Sequence, residues 1–318
     1  MLEAPTSSCA LVVGGGTMGA DVALVFARAG CRAMVLESDE ARRKRLSDYF
    51  ARGMADLGYP HRLGKLTTCE SLDDVAWNDV DLVVECIPER LDIKQGLFAE
   101  LVRRARPDAF LTSNSSSFPI SAIAANLDTA SRMLGLHFFM PAHLVPLVEV
   151  ILGKDSNPAH GETLSAFMHA CGMVPVIVKK DLPGFLANRL QHALAREAFS
   201  MIDEGVATAE DVDKAVRFGF GFRFLAAGPV LQRDHAGVEV HTAAAATIYP
   251  SLSAATVPAK VLRDKVAAGK LGMKTGEGFF RWTQASIAAE RKRYDNLLRA
   301  GLKLIEGELP KIHDDEGH

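Results

Sequence analysis

Two groups of residues carry chemistry by their type and spacing. In the stretch GLHFFMPAHLVPLVEVI, residues 135–151, His137 closes an apolar run and Glu149 follows twelve residues later. Histidine is the side chain whose charge changes near neutral pH, so it can take the proton of a hydroxyl. A carboxylate bonded to its second nitrogen would hold the tautomer and stabilise the imidazolium. Such a pair suits an alcohol that loses a proton to the protein while its carbon gives up hydride. By spacing alone, a structural histidine in an apolar run is the commoner reading. The second group is the turn Gly14-x-Gly16-x-x-Gly19, with Glu37 placed 37 − 19 = 18 residues after the last glycine.

The elements around the second group give it meaning. Residues 9–14 are a short apolar run, 21–29 carry apolar positions at helical spacing, and CRAMVLE ends at Glu37. The order is strand, glycine turn, helix, strand, which is where a dinucleotide fingerprint belongs. The first glycine allows the turn, the second lets backbone approach a pyrophosphate, and the third packs helix on strand. Thr17 and Met18 complete the same anion-facing first turn of the helix. A carboxylate at Glu37 suits the adenosine ribose hydroxyls and repels a 2′-phosphate, so NAD is expected rather than NADP. Arg42 and Arg43 lie nearby and leave NADP as the alternative, but they are expected on a solvated helix face.

Further apolar runs at 81–87, 109–114, 132–139 and 173–179 alternate with charged, helix-favouring segments. That alternation predicts an α/β domain with a mostly parallel sheet covered on both faces, over residues 1–180. From 181 to 318 the pattern is helical throughout. Leu186, Leu190, Leu194, Ala198 and Met201 share one helical face that ends at Gly205, Thr208 with Asp211 reads as a capping box, and that next helix ends before Gly219. Residues 257–268 and 285–306 are expected to be helical, the last with Ile287, Tyr294, Leu298 and Ile305 on one stripe. The tail 313–318 is expected to fray.

Composition narrows the function. Among 318 residues, 36 Lys and Arg stand against 39 Asp and Glu, a net charge of −3 without a basic stripe, so nucleic acid and anionic membrane are poor partners. Five scattered cysteines without a CxxC pair predict neither a disulfide framework nor a metal site. With a short polar start and no run of about 18 apolar residues, a cytoplasmic protein is expected.

Six segments in order resemble the L-3-hydroxyacyl-CoA dehydrogenase family: VVGGGTMGADVA, DLVVECIPERLDIKQGLF, TSNSSSFPISAI, GLHFFMP, DLPGFLANRL and KLGMKTGEGFFRW. The resemblance covers nearly the whole chain. It implies a Rossmann-type domain followed by a helical domain that forms a homodimer, with substrate in the cleft between them. It makes His137 the general base and Glu149 its orienting carboxylate, and it places Ser116 and Asn188 against the substrate. Glu89, Lys94 and Asn114 match positions that contact the nicotinamide half of NAD. The bland alternatives are that Ser116 caps the helix near Ile120, that Asn188 bonds helix backbone, that Lys94 is a solvated lysine, and that Glu89 is a loop carboxylate next to Arg90.

The chain also departs from that family. Met140 stands where HFFNP has asparagine, so a polar contact beside His137 is lost, with His143 a candidate substitute or a surface histidine. The segment 38–78 holds only Lys44 and Lys65, where related enzymes grip coenzyme A with a lysine-rich helical hairpin. Arg223, in FGFGFRFLAAGP, suits a substrate carboxylate, or else a surface salt bridge. The resemblance points first to a short-chain 3-hydroxyacyl-CoA such as 3-hydroxybutyryl-CoA. Its rival is a side branch acting on small carboxylated substrates without coenzyme A, such as a formyl-hydroxy-methylpyridine carboxylate. An idle, crystallin-like NAD-binding protein is a third reading, disfavoured because His137, Glu149, Ser116 and Asn188 are all present.

Overall fold

The computed structural model describes residues 2–312, so the tail expected to fray lies outside them. Eight strands form one sheet: β1 Cys9–Val13, β2 Arg32–Leu36, β3 Leu66–Cys69, β4 Leu82–Glu85, β5 Phe110–Ser113, β6 Met133–Phe138, β7 Leu147–Leu152 and β8 Val174–Val178. Their spatial order is β3-β2-β1-β4-β5-β6-β7-β8. All neighbours run parallel except β6 and β7, whose short connection forces an antiparallel return. β3, the sequence LTTC, and β7 are absent from the apolar runs singled out above. β3 is a short edge strand with two exposed threonines, so no continuous apolar run marks it.

The helices of this region are α1 Thr17–Arg28, α2 Glu40–Asp56, α3 Leu91–Arg104, α4 Ile120–Ile123 and α5 Pro158–Ala170. Strand β1 shows why both sheet faces are covered. Ala10 and Val12 pack with α1, α2 and α5 residues such as Phe26, Phe50 and Phe167. Leu11 and Val13, on the alternate face, pack with Phe98 and Leu101 of α3 and Ile120 of α4. Helix α1 is buried from Gly19 to Ala27, which explains its small and aliphatic residues.

The remaining helices are α6 Ala187–Asp203, α7 Ala209–Ala215, α8 Gly221–Arg223, α9 Leu231–Ala236, α10 Val238–Ile248, α11 Lys260–Ala267 and α12 Gln284–Leu304. Thr208 caps α7 by accepting from the Asp211 N–H. Beyond α7 the chain widens into a turn, Val216–Phe220, where Gly219 leaves helical geometry at φ −97° and ψ −116°. By internal contacts the chain divides into two compact units, Met1–Asn188 with Glu306–His318, and Arg189–Ile305.

Candidate active site

The antiparallel pairing of β6 with β7 sets His137 directly opposite Glu149. Their side chains meet at 2.8 Å, Nδ1 to Oε2, and both are buried. A carboxylate only accepts, so Nδ1 is the donor of this pair and Nε2 is turned away from Glu149. Glu149 Oε1 accepts the N–H groups of Leu186 at 3.1 Å and Ala187 at 2.7 Å, at the start of α6. Those N–H groups reach it because Gly184 and Phe185 turn the chain through positive φ, +77° and +50°. The ring of Phe139 lies edge-on to the imidazole at 4.5 Å between centroids, and Phe185 lies at 5.7 Å. The histidine is therefore held by a carboxylate on one side and apolar rings on the other.

A second network follows β4 and β5. Lys94 is not solvated: it is buried between Glu85 at 2.7 Å and Glu89 at 3.2 Å. Glu85 also accepts the Ile87 N–H at 2.7 Å and the Ser113 hydroxyl at 2.6 Å. Glu89 Oε1 gathers the Ser115 hydroxyl at 2.6 Å, the Ser117 hydroxyl at 2.8 Å, and the N–H groups of Ser116 and Ser117. Burial pushes the Glu89 carboxyl up, but the Ser115 and Ser117 hydroxyls and the Lys94 ammonium outweigh it and bring it to about 2. Asn114 Oδ1 accepts the Phe138 N–H at 2.8 Å, which ties this loop to the strand of His137.

Ser116 is exposed, and its hydroxyl does not cap α4, whose N-cap is Pro119. Asn188 is half-buried in the first turn of α6, with no side-chain hydrogen bond among the described residues. Met140 is exposed. His143 lies away from open solvent, with Nδ1 3.1 Å from Asp21 Oδ1 but not aligned for a hydrogen bond. Asp21, buried in α1, also accepts from Tyr49 and from the Ala142 N–H, so the loop after His137 is moored to α1 and α2. Arg223 is exposed in α8 and makes no ion pair among the described residues. Glu85, Ser113, Ser115 and Asp21 escaped sequence reasoning. The one signal for Glu85 was a carboxylate closing the apolar run DLVVE.

At the glycine turn, Gly14 has φ +109° and a Cβ there would stand 2.7 Å from the Cys86 carbonyl oxygen. A Cβ on Gly19 would fall 1.9 Å from the Gly14 oxygen, whereas one on Gly16 would meet nothing within 4 Å. Gly16 is the N-cap of α1 and offers no side chain, so the first-turn N–H groups of Thr17 and Met18 have no capping acceptor. Glu37 is buried and accepts from Gly15 at 3.1 Å and Asp39 at 2.9 Å. Arg42 and Arg43 do not simply face water. Arg42 donates to Glu37 Oε2 at 3.1 Å, and Arg43 to the Glu37 carbonyl at 2.7 Å and to Glu70 at 2.9 Å. Arg42 turns back to a buried carboxylate, and Arg43 to backbone carbonyls and the exposed Glu70 carboxylate.

Residues 10–182 match the model of the 3-hydroxyacyl-CoA dehydrogenase NAD binding domain, and residues 184–282 that of the 3-hydroxyacyl-CoA dehydrogenase C-terminal domain. The chain belongs to the 3-hydroxyacyl-CoA dehydrogenase family. Its members are NAD-dependent oxidoreductases. Within the family, the chain is 31% identical to the 5-formyl-3-hydroxy-2-methylpyridine 4-carboxylate 5-dehydrogenase of Mesorhizobium japonicum, over 93% of this chain and 97% of that one. A solved 5-dehydrogenase acting on that compound, described as an NAD+ dependent dismutase, superposes with TM-score 0.89 at 30% identity, covering 94% of this chain and 98% of that one. The 3-hydroxybutyryl-CoA dehydrogenase structure from Escherichia coli K12 gives TM-score 0.72 at 31% identity, covering 87% and 60%. The 3-hydroxybutyryl-CoA dehydrogenase of Mycobacterium tuberculosis is 35% identical over 85% of this chain and 97% of its own.

The residues present fit the family's cofactor. A helix start without a side-chain cap, reached by a glycine that carries no Cβ, suits a pyrophosphate, and the Glu37 carboxylate suits a ribose diol. Among the described residues no three His, Cys, Asp or Glu side chains are grouped to hold a metal ion, and no helix is long and apolar enough to cross a membrane. Burial pushes the Cys31 thiol up to about 12 and the Cys69 thiol to about 11, so neither is a nucleophile near neutral pH.

Proposed function

We propose that this chain is a dehydrogenase of a small carboxylated alcohol or aldehyde that carries no coenzyme A, working through His137 and Glu149. The observation that carries the choice of substrate is the whole-chain likeness to the pyridine carboxylate dehydrogenase, TM-score 0.89 against 0.72 for the coenzyme A thioester enzyme. The α2–β3 connection supports it. After α2 come only the turn Pro60–Lys65 and β3, with Lys44 and Lys65 as the sole lysines of the segment 38–78.

Bound NAD supplies the hydride acceptor. His137 Nε2 takes the proton of a hydroxyl, either of an alcohol or of a hydrated aldehyde, as the carbon bearing it gives up hydride. Glu149 keeps Nδ1 protonated and stabilises the imidazolium that forms. The Ser116 hydroxyl and the Asn188 amide donate to the substrate oxygen. Glu89, Lys94 and the Asn114 amide orient the nicotinamide half. The functional molecule is a homodimer through the helices of the second unit, a reading supported by the exposure of Leu190, Leu194 and Phe218.

The second reading, a short-chain 3-hydroxyacyl-CoA substrate, is favoured by the 35% identity to the mycobacterial 3-hydroxybutyryl-CoA dehydrogenase. Nicotinamide absorbance separates the two. One sample holds NAD with 5-formyl-3-hydroxy-2-methylpyridine 4-carboxylate and related carboxylated aldehydes and alcohols. The others hold NADH with acetoacetyl-CoA or acetoacetate. Turnover of the carboxylated compounds without turnover of the thioester is expected. Rapid oxidation of NADH by acetoacetyl-CoA alone, inhibited by free coenzyme A, overturns the proposal for the second reading.

A further inference from the structure

The end of β2 holds one carboxylate between two guanidiniums that differ in how firmly they are held. Arg43 is 18% exposed, bridges the carbonyls of Glu37 and Ser38, and reaches Glu70. Both of its terminal nitrogens are engaged by the protein. Arg42 is 51% exposed, and among the described residues its guanidinium has a single partner, Glu37 Oε2 at 3.1 Å. The base of Arg42 is nevertheless fixed, because its N–H donates to the Asp39 cap of α2 at 2.6 Å. A half-exposed guanidinium on a fixed helical start thus stands against the carboxylate that would accept a ribose hydroxyl.

We propose that Arg42 is a latent ligand for the 2′-phosphate of NADP, held in check by Glu37, and that their competition sets the cofactor preference. The ribose hydroxyls of NAD need the carboxylate, while a 2′-phosphate is repelled by it and suits a guanidinium, which binds phosphate bidentately. With Glu37 paired to Arg42, the carboxylate prevails and NAD is preferred. Where Glu37→Gln replaces the carboxylate, Arg42 loses its charged partner and its donors can turn to the added phosphate. Helix α2 leaves room, since half of the Arg42 side chain is already in water. Arg43 cannot substitute without abandoning the Glu37 carbonyl and Glu70.

The test is direct binding of NADH and NADPH, followed by energy transfer from protein tryptophan to the reduced nicotinamide, without any substrate. The quantity read is the ratio of the NADPH to the NADH dissociation constant. In Arg42→Ala the ratio is expected to rise by about ten-fold or more, because one charge-assisted phosphate contact is gone. In Glu37→Gln it is expected to fall by about ten-fold or more, and raising the salt concentration should weaken that gain. The Glu37→Gln, Arg42→Ala double variant is expected to lose it. A ratio unmoved by Arg42→Ala, or a gain that survives in the double variant, overturns the proposal. Glu37→Ser repeats the measurement should Glu37→Gln fail to fold.

Discussion

The two units handle charge and apolar surface in opposite ways. In the first unit, Glu37, Glu85 and Glu149 are buried, and each collects at least three hydrogen-bond or ion-pair partners. In the second, ion pairs such as Lys214 with Glu210 and Lys260 with Asp264 join neighbouring turns of one exposed helix. Its apolar side chains are the reverse of the core of the first: only Ala227 and Ile287 are buried, while Leu190, Phe218, Phe222 and Ile248 are exposed. A sheet covered on both faces admits a charge only if every lone pair is met, whereas a charge on an exposed helix has water as an alternative. Chemistry that needs a fixed proton and a fixed carboxylate therefore sits in the first unit. The second presents surface that a partner can cover.

That contrast can be broken or sharpened by substitution. The largest effect belongs to the His137–Glu149 pair: His137→Ala is expected to lower kcat by about 10²–10⁴-fold, with NADH still bound by fluorescence titration. Glu149→Gln is expected to lose nearly as much, because an amide nitrogen facing Nδ1 favours the wrong tautomer. Unchanged turnover in either variant removes the pair from the mechanism. Next is Lys94→Met, which leaves Glu85 buried without its cation and is expected to cost about 3–5 kcal/mol in denaturant unfolding. Lys214→Met, its counterpart on an exposed helix, should leave the unfolding midpoint where it is.

Glycines give the next contrast. Gly19→Ala drives a Cβ into the Gly14 carbonyl and should lower the melting temperature markedly. Gly205→Ala, at φ +71° with open space around it, should cost only about 1 kcal/mol. Gly16→Ala meets nothing in the protein, so it should spare the melting temperature and weaken NADH binding, as measured by titration. The smallest effect concerns acid. The folded Glu89 carboxyl lies at about 2, below the unfolded value of about 4.3. Its stabilisation is therefore complete above the unfolded value and is lost as pH falls through the folded one. Ser117→Ala should raise the folded value, so its deficit in melting temperature should be present at pH 7 and shrink as the pH falls from about 4.3 toward 2. A deficit that stays constant over that range would assign the loss to packing.

Much of this was legible beforehand because periodicity is local. The glycine turn follows β1 and opens α1, Glu37 closes the next strand, and α6 and α12 lie close to where their stripes placed them. The pair of His137 and Glu149 was legible as two residue types, while the strand β7 and its antiparallel return against β6, which set them opposite each other, were not. What stayed hidden were polar groups inside apolar runs. Glu85, Ser113 and Asp21 look like interruptions in a sequence, and only the closing of β4 on β5, or of α1 on the loop after His137, turns them into donors and acceptors for known partners. The short edge strand β3 was hidden for the opposite reason, since it buries too little to leave an apolar signature.

Arg42 and Arg43 mark the boundary between the two kinds of knowledge. The sequence by itself determined the α/β order, the dinucleotide turn, the acidic residue after it and the family, because each depends on spacing along the chain. Tertiary structure alone decided that the two arginines fold back onto Glu37, that Lys94 is buried between two carboxylates, and that Glu149 is met by the start of α6. The physical reason is that a charged side chain takes its place from whatever acceptors the folded backbone brings within about 3 Å, and those acceptors come from residues distant in sequence.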